Sequence, residues 1–389
     1  MKADVLIDIS RLLGRAARGR LPTGVDRVSL AYMQHWGMKA QAVLFKGFWR
    51  GLVPYRESQQ LFDLLLRRPA DFSAKANWVI AKSCAPPWAS QNAQRKPVFY
   101  LSHAGSESRV FQKWLKETRQ TPVYFVHDLI PISHAEYCRD GEKDAHIRRI
   151  LGMLSTGAGL ICNSQFTLSA LVGFADSHDL QMPPAVVAPL APAPLSYNGS
   201  LGVAARPFES PYFVMLGTIE PRKNHLQLLN VWRELVMKLG NSAPHLFIIG
   251  QRGWECENVV DMLERCAQIR PFVHEMSGCS DVDLARYLTH AQAMLFPSFV
   301  EGYGMPLIES LMLGTPVIAS DLDVFKEVAG DVPDYLSPVD GIGWMQAIVD
   351  YSHAASPRRQ AQQARVKKFK VPTWDEHFVQ VQRLLGELA

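Results

Sequence analysis

The sequence of 389 residues has little of what marks several large classes of protein. Its six cysteines form no CxxC pair and no Cys/His spacing that suits structural zinc, so we expect reduced thiols. The net charge of +4 is compatible with an anionic ligand but far from the basic extreme of nucleic-acid-binding proteins. We therefore expect no nucleic-acid partner and favour a phosphorylated substrate.

Export signals and membrane spans are also missing from the sequence. The N-terminus carries charges where a signal peptide has its apolar core, which predicts a cytoplasmic protein. The one long uncharged stretch, residues 150–175, contains too many hydroxyl and amide side chains for a lipid-facing helix. No GxGxxG motif follows the first predicted strand of either half, which disfavours a nicotinamide-dependent enzyme.

What the sequence does have is a regular alternation of short apolar runs with longer amphipathic segments. In the first half, β-rich runs predict strands at residues 5–9, 42–45, 78–81, 98–101, 123–126, 159–162 and 185–188. Strands that alternate with helices indicate parallel βαβ units. Seven prolines between residues 183 and 211 then predict a linker between two domains.

After the linker the alternation restarts. Strands are predicted at residues 212–216, 245–249, 272–274, 293–296 and 316–319, with helices between them. The first of these helices has Asn224 as a candidate N-cap and apolar residues at helical spacing, which are Leu226, Leu229, Trp232, Leu235 or Val236, and Leu239. The sequence thus predicts an α/β protein of two doubly wound Rossmann-like domains, whose ligands bind at the carboxyl ends of the strands in a shared central cleft.

The segment richest in candidate site residues is Glu301-Gly-Tyr-Gly-Met-Pro-Leu-Ile-Glu309, which follows an apolar strand and enters a helix. Gly302 and Gly304 let the backbone approach a ligand, and the first N–H groups of the helix suit a phosphate or a sugar hydroxyl. Both carboxylates can accept hydrogen bonds from sugar hydroxyls. Taken alone, either glutamate is more often a solvated surface residue.

In its context this segment resembles the Glu-x7-Glu signature of family 4 (group 1) retaining glycosyltransferases, which have the GT-B fold. In that family the first glutamate contacts the donor sugar, the intervening amides hold sugar and phosphate oxygens, and the second glutamate binds the nucleotide ribose. The resemblance assigns the first role to Glu301, as a catalytic residue, and the last to Glu309. The intervening positions are Gly302, Tyr303, Gly304, Met305 and Leu307.

A second segment, Gly217-Thr-Ile-Glu-Pro-Arg-Lys-Asn224, ends a predicted strand and brings two cations to the start of a helix. A diphosphate requires this combination of positive charge and helix N–H donors. The segment resembles the pyrophosphate clamp of the family, with Lys223 as the matching lysine. Many members have arginine directly after the glycine, where this chain has Thr218, so Arg222 either substitutes for that arginine or has another role.

In the first half, His127 and Asp128 follow the strand predicted at residues 123–126 and therefore lie at the expected cleft. The His127 imidazole can donate to a donor-sugar hydroxyl or stabilise developing charge. The resemblance supports a catalytic role for His127. For Asp128, a site role and a strand-end or helix-capping role both stay open.

Three weaker matches extend the resemblance to nearly the whole chain. Gly24 opens a helix, as the glycine loop of the family does near the donor phosphates, although loop glycines are common. Asn163 and Ser164 resemble a strand-to-helix turn that faces the cleft, and either also suits an N-cap. The end of the chain resembles the last helix of the family, which returns to the N-terminal domain. We therefore predict a first domain of residues 1–200 with 372–389, and a second domain of residues 207–371.

Asp321-Leu-Asp323 has the form of the metal-binding DxD motif of the other major glycosyltransferase fold. Ser320 or Asp321 also suits a helix cap at this position, and Arg222 with Lys223 already supplies positive charge for phosphate. We therefore expect no divalent metal and no cofactor other than the nucleotide-sugar substrate.

The resemblance implies transfer of a hexose from a nucleoside diphosphate sugar to a hydroxyl of a saccharide or lipid-linked saccharide, with retention at the anomeric carbon. GDP-mannose is the donor we expect, as in many similar sequences for bacterial surface polysaccharides. The alternatives are a GT-B epimerase or phosphorylase, and a nucleotide-sugar binding protein. Peripheral contact with an anionic membrane is a further hypothesis, based on Arg11, Arg15, Arg18 and Arg20 beside Leu12, Leu13 and Leu21.

Overall fold

The structure is a computed structural model that describes residues 3–46, 49–83, 95–103, 105–192, 205–353 and 355–389. The chain divides into two compact units. The first consists of Met1–Ile132, Lys143–Leu190 and Trp374–Ala389, and the second of Ser133–Glu142 and Ala191–Thr373. The short segment Ser133–Glu142 thus belongs to the second unit although it lies in the first half of the chain. The predicted boundary at residue 200 lies outside the described residues.

The first unit contains a seven-stranded sheet in the order β3-β2-β1-β4-β5-β6-β7. Its strands are β1 Val5–Asp8, β2 Ala40–Lys46, β3 Trp49–Leu52, β4 Pro97–Tyr100, β5 Thr121–Val126, β6 Gly159–Cys162 and β7 Ala185–Val187. All neighbours pair in parallel except β2 and β3, which are antiparallel. Every residue of β5 is buried, as expected for a parallel strand covered on both faces.

The helices of the first half are α1 Ser10–Ala16, α2 Gly24–Trp36, α3 Tyr55–Arg67, α4 Phe72–Lys82, α5 Arg109–Thr118, α6 Ile130–Ser133, α7 Glu142–Thr156 and α8 Gln165–Asp176. The strand predicted at residues 78–81 is wrong, because these residues lie in α4. Phe72, Ala76 and Val79 are buried at helical spacing, whereas Trp78 is 57% exposed. An apolar run of four residues is compatible with a strand and with a helix. The helical spacing of the buried residues over the whole of α4 shows that this segment is a helix.

The second unit contains a six-stranded parallel sheet in the order β10-β9-β8-β11-β12-β13. Its strands are β8 Tyr212–Leu216, β9 His245–Ile249, β10 Val273–Met276, β11 Met294–Phe296, β12 Val317–Ser320 and β13 Asp334–Leu336. Its helices are α9 His225–Leu239, α10 Glu257–Arg265, α11 Asp281–His290, α12 Met305–Met312, α13 Asp323–Ala329, α14 Gly341–Ser352 and α15 Pro357–Val366. The short edge strand β13 was not predicted from the sequence.

Helix α9 packs on the sheet through Leu228, Leu229, Trp232 and Leu235, which are fully buried in the core of the second unit. The predicted apolar face was therefore partly wrong, since Leu226 and Leu239 are exposed. The buried face of α9 is rotated relative to the predicted one. The amphipathic spacing is compatible with two neighbouring faces of the helix, and only packing against the sheet selects one of them.

The last helix, α16 Trp374–Glu387, belongs to the first unit. Its buried His377 has Nδ1 3.1 Å from the carbonyl oxygens of Ala188 and Pro189, and Nε2 2.9 Å from the Tyr32 hydroxyl of α2. The carbonyls can only accept, so Nδ1 carries the proton and Nε2 accepts from Tyr32. Within the described ranges, no helix combines the length and apolarity needed to cross a membrane.

Candidate active site

Three predicted site residues of the second unit lie on two loops that the sheet brings together. Arg222 and Lys223 follow β8, Glu301 follows β11, and β8 and β11 are neighbours in the sheet. Parallel neighbours end at the same edge, so the cations and the carboxylate meet there although 78 residues separate Lys223 from Glu301.

Three side chains donate to the carboxylate of Glu301. Lys223 Nζ lies 2.5 Å from Oε1, Ser298 Oγ lies 2.7 Å from the same oxygen, and Arg222 Nη1 lies 2.7 Å from Oε2. Lys223 and Glu301 are both buried, and Lys223 Nζ also lies 4.9 Å from the centre of the Phe296 ring. Charge-assisted hydrogen bonds of this kind fix the orientation of both partners.

These contacts decide the protonation of Glu301. Burial by itself raises the pKa of the carboxyl, but Arg222, Lys223 and the hydrogen bonds from Lys223 and Ser298 lower it to about 2. Glu301 is therefore ionised throughout the physiological range. It acts as a hydrogen-bond acceptor, which suits contact with a sugar hydroxyl and excludes a role as general acid.

Arg222 links two carboxylates. Its Nη1 donates to Glu301 and to the carbonyl oxygen of Val300, and its Nη2 lies 2.6 Å from Glu220 Oε1. Burial raises the pKa of Glu220 against the attraction of Arg222 and Lys223. The site thus contains two cations and two carboxylates, and Arg222 also holds the loop after β11 through Val300 and Glu301.

Glu220 and Ser298 were not recognised as candidate site residues from the sequence. Glu220 stands inside the segment of residues 217–224, and Ser298 lies between the end of β11 and Glu301, both near strand ends where polar side chains face ligands. The signal that could have found Glu220 is an acidic residue two positions before Arg222, because a buried cation usually needs a counterion.

Asn224 stands at the N-cap of α9, as predicted, although its side chain makes no capping hydrogen bond. Its backbone is left-handed, with φ +60°, and its Nδ2 donates to the carbonyl oxygens of Pro297 and Pro338 at 3.1 and 2.8 Å. Asn224 therefore ties the loop after β8 to the loops that follow β11 and β13.

Helix α12 begins directly after the loop that carries Glu301. Gly304 stands at its N-cap with φ +110°, and a Cβ there would lie 2.9 Å from Phe325 Cε1, so this position requires glycine. Met305 is the first residue of the helix, where backbone N–H groups have no intrahelical partner. Such a helix start is suited to bind an anion or a hydroxyl.

The other predicted residues of this segment are less accessible. Tyr303 and Glu309 are each only 5% exposed, and Gly302 is half-buried in the loop. The Leu307 N–H donates to the Gly304 carbonyl at 3.0 Å and its side chain is in the core, so the structure gives Leu307 a packing role rather than a spare donor. Ligand contacts of Gly302, Tyr303, Met305 and Glu309 stay predictions.

His127 follows β5 in the first unit and is buried. Its Nε2 lies 2.9 Å from the Leu101 carbonyl oxygen, which can only accept, so Nε2 carries the proton. Burial is the main reason that the pKa of His127 is lowered to about 4. The neutral ring therefore offers Nδ1 as an acceptor, and the prediction that it donates to a sugar hydroxyl needs this correction.

The peptide of His127 is held from both sides. Its N–H donates to His103 Nε2 at 2.8 Å, and its carbonyl accepts from Asn163 Nδ2 at 2.8 Å. Ser164 is the N-cap of α8, with Oγ accepting from the Thr167 N–H. Asp128 accepts from the N–H of Ile130 at the start of α6, which supports the capping alternative.

Gly24 is the first residue of α2, where Thr23 and Asp26 form a capping box. The buried carboxylate of Asp26 also pairs with Arg11 and Arg15, each at 2.8 Å. Leu12 and Leu13 are in the core, so their predicted place on a membrane-facing surface is wrong. Arg18, Arg20 and Leu21 remain on the surface.

No group of three or more histidine, cysteine, aspartate or glutamate residues suited to a metal ion occurs among the described residues. Asp321 forms an ion pair with Lys326 of α13, and Leu322 rather than Ser320 or Asp321 stands at the N-cap. The capping role suggested for these two residues is therefore wrong, and metal independence stays a prediction.

Comparison with known proteins finds a family match within the second unit. Residues 203–334 match the family described as glycosyl transferases group 1, which confirms the resemblance for this part of the chain. The matched span contains Arg222, Lys223, Glu301 and Glu309. Arg222, Lys223 and Glu301 form the buried charge network with Glu220 and Ser298, which also lie in the matched span.

Two curated relatives are mannosyltransferases of Escherichia coli. The chain is 37% identical to the serotype-specific mannosyltransferase WbdA over 128 residues, which are 33% of this chain and 16% of the relative. It is 33% identical to O-antigen chain mannosyltransferase B over 129 residues, which are 33% of each protein. The matches thus span a sixth and a third of these relatives.

A solved structure extends the likeness to the whole fold. Anabaena Alr3699/HepE in complex with UDP superposes with a TM-score of 0.65 over 99% of this chain and 100% of that chain, at 14% identity. At such low identity the likeness concerns the fold alone. The predicted GT-B fold is confirmed, and the joint action of His127 and Glu301 in one cleft stays a prediction.

Proposed function

We propose that this chain is a glycosyltransferase that moves a hexose from a nucleoside diphosphate sugar to a hydroxyl of a saccharide or lipid-linked saccharide. The observation that carries the proposal is the buried network of Lys223, Arg222 and Glu301 at the start of α12, inside the span that matches group 1 glycosyltransferases. Cations, helix N–H groups and an ionised carboxylate are together what a sugar diphosphate requires.

In this proposal Lys223 and Arg222 stabilise the leaving diphosphate, whose negative charge grows as the glycosidic bond breaks. Glu301 accepts a hydrogen bond from a donor-sugar hydroxyl and holds both cations in place. Glu309 binds the ribose. Helix α12 adds its first N–H groups, and the two reactants are held close enough for the acceptor oxygen to attack.

We further propose that the anomeric configuration is retained and that no divalent metal is needed. Within the described residues, the donor loops offer cations for the diphosphate, and Glu301 is engaged by three donors, which makes it a poor nucleophile. Retention would then follow from attack on the face that the diphosphate leaves, with the phosphate oxygen accepting the acceptor proton.

Mannose is the hexose we propose, with GDP-mannose as donor, because the curated relatives are described as mannosyltransferases. A uridine nucleotide is the second candidate, since HepE was solved with UDP. An epimerase or phosphorylase with the same fold would use the same diphosphate site and differs in what it does with the sugar.

The test is to incubate the protein with a panel of GDP- and UDP-sugars and a mannoside acceptor, with and without EDTA. We expect a new α-mannosidic bond from GDP-mannose, seen by NMR of the product, at a rate that EDTA leaves unchanged. A β-linked product would refute retention, and loss of activity restored by manganese would refute metal independence. Conversion of the nucleotide sugar without transfer would favour the epimerase.

A further inference from the structure

The second unit contains a cavity that the proposed donor site does not use. It has a volume of about 450 Å³ and lies where α9 and α10 begin. Its lining includes Tyr137, Glu220, His225, Glu255, Asn258 and Phe299. Small-molecule sites commonly have volumes of about 300–1,000 Å³, so the cavity is large enough for a monosaccharide unit.

One wall of the cavity is aromatic. The rings of Tyr137 and Phe299 stack with their centres 5.2 Å apart and their planes within 3° of parallel. The backbone of Tyr137 is fixed by Trp254, whose Nε1 donates to the Tyr137 carbonyl at 3.3 Å, and Arg139 lies over the Trp254 ring. Both stacked rings are partly exposed, so they offer an ordered apolar surface to a ligand.

The remaining lining combines polar side chains with the apolar ones of Pro221, Leu226, Cys256 and Val259. Among the described residues it includes the carboxylates of Glu220 and Glu255 and the amides of Asn224, Gln227, Asn230 and Asn258, with no lysine or arginine. Arg222, which pairs with Glu220, is already engaged by that carboxylate, and no lysine or arginine borders the described lining, which disfavours a phosphate or a nucleotide. Amides and carboxylates beside aromatic rings instead suit a neutral ligand with many hydroxyl groups.

His225 strengthens this assignment. It borders the cavity with only 1% of its surface exposed, and neither ring nitrogen has a hydrogen-bond partner among the described residues. Burial and the positive charge of Lys223 lower the pKa of His225 to about 3, so the ring is neutral. A neutral imidazole has one donor and one acceptor, and a hydroxyl group can satisfy either.

Glu220 connects the cavity to the donor site. It borders the cavity and pairs with Arg222, and Arg222 pairs with Glu301. A sugar hydroxyl that reached Glu220 would therefore lie next to Arg222, which belongs to the proposed donor network. A sugar unit in the cavity would thus adjoin the proposed donor site without occupying it.

We propose that the cavity binds one pyranose unit of the acceptor saccharide, with the apolar face of the sugar against the Tyr137–Phe299 pair and its hydroxyl groups toward Glu220, His225 and Asn258. This inference rests on the proposed function for the identity of the ligand as an acceptor. The binding itself depends only on the cavity.

The test measures saccharide binding without any nucleotide sugar. Methyl α-D-mannopyranoside and an α-linked mannotriose are titrated against the protein by saturation-transfer NMR. Tyr137→Ala removes the aromatic wall, and Asn258→Trp fills the cavity from the exposed start of α10. We expect both variants to weaken binding at least tenfold, and Tyr137→Phe, which keeps the ring, to retain it.

Glu257→Trp is the matched control, because Glu257 is the exposed neighbour of Asn258 and does not border the cavity. Equal affinity in wild type, Tyr137→Ala and Asn258→Trp, or no binding by the wild type, would overturn the proposal. Inorganic phosphate binding in the cavity would also overturn it. A GDP titration of the same variants distinguishes the cavity proposal from the proposed function. Saccharide binding without GDP binding would refute the proposed function and leave the cavity proposal intact.

Discussion

The Lys223 ammonium lies 2.5 Å from Glu301 Oε1, and this buried contact joins two positions that the family resemblance assigns to different parts of the donor. Lys223 matches the diphosphate-binding lysine, and Glu301 matches the sugar-binding glutamate. Because they are ion-paired, a change in either residue alters the charge that the other presents to the ligand. Under the proposed function, donor binding and sugar positioning would therefore be coupled.

Lys223→Ala should weaken donor binding. It removes the cation nearest to Glu301 and leaves that buried carboxylate with Arg222 and Ser298 as partners. Loss of a charged hydrogen bond costs about 1.5–3 kcal/mol, which is roughly a 10- to 100-fold increase in the Kd of GDP-mannose. Calorimetric titration measures this, with the exposed Lys238→Ala as control. An unchanged Kd in folded Lys223→Ala would remove the diphosphate assignment.

Glu301→Gln should separate turnover from diphosphate binding. The amide keeps the shape of the side chain but removes the negative charge beside Lys223 and Arg222, so free GDP should bind at least as tightly as in the wild type. The kcat should fall by roughly 10- to 100-fold, because a charged acceptor of a sugar hydroxyl is lost. GDP binding weakened as much as in Lys223→Ala would mean that Glu301 serves only to hold the lysine.

The same carboxylate should contribute to stability in a pH-dependent way. The pKa of Glu301 is about 2 in the folded protein and near its ordinary value of 4.5 when unfolded. Its contribution is therefore fully present above pH 4.5 and is lost as the pH falls from 4.5 toward 2. In urea unfolding, the stability difference between wild type and Glu301→Gln should shrink between pH 5 and pH 3. A constant difference over that range would contradict the ion-paired state.

His127 should act as a neutral group. Its pKa is lowered to about 4, mainly by burial, so its protonation hardly changes between pH 6 and pH 8. His127→Ala should lower kcat because the Nδ1 acceptor is lost, while the shape of the pH–rate profile in this range stays the same. If the wild type showed a change of rate with an apparent pKa near 6.5 and His127→Ala did not, His127 would have to titrate during turnover.

The two sheets and most of their helices could be predicted because periodic apolar runs determine which segments are buried. The candidate residues Lys223 and Glu301 could be found because sequence-local motifs contain them, and the structure brings the two side chains together. The partners of the site residues could not be found in this way, because the Arg222 contacts and the Leu101 carbonyl beside His127 depend on which strands become neighbours. The strand predicted at Trp78 was wrong because a run of four residues is too short to distinguish the helical from the strand periodicity.

Gly304→Ala should show how far the donor site depends on the start of α12. The substitution places a Cβ at φ +110°, which costs roughly 1–3 kcal/mol, and 2.9 Å from Phe325 Cε1. Phe325 is fully buried and its ring lies 4.7 Å from that of Phe296, which in turn lies below Lys223 Nζ. Relief of the crowding must therefore move either the helix start or the ring under the lysine.

Gly314→Ala is the control for this change, because Gly314 also has a positive φ, +78°, but a Cβ there would meet nothing within 4 Å. Both variants should lower the melting temperature, since both carry backbone strain. Only Gly304→Ala should also weaken GDP binding, by tenfold or more in a titration of the folded protein. Equal GDP affinity in the two variants would show that the start of α12 can shift without moving Lys223, and that its N–H groups contribute little to holding the diphosphate.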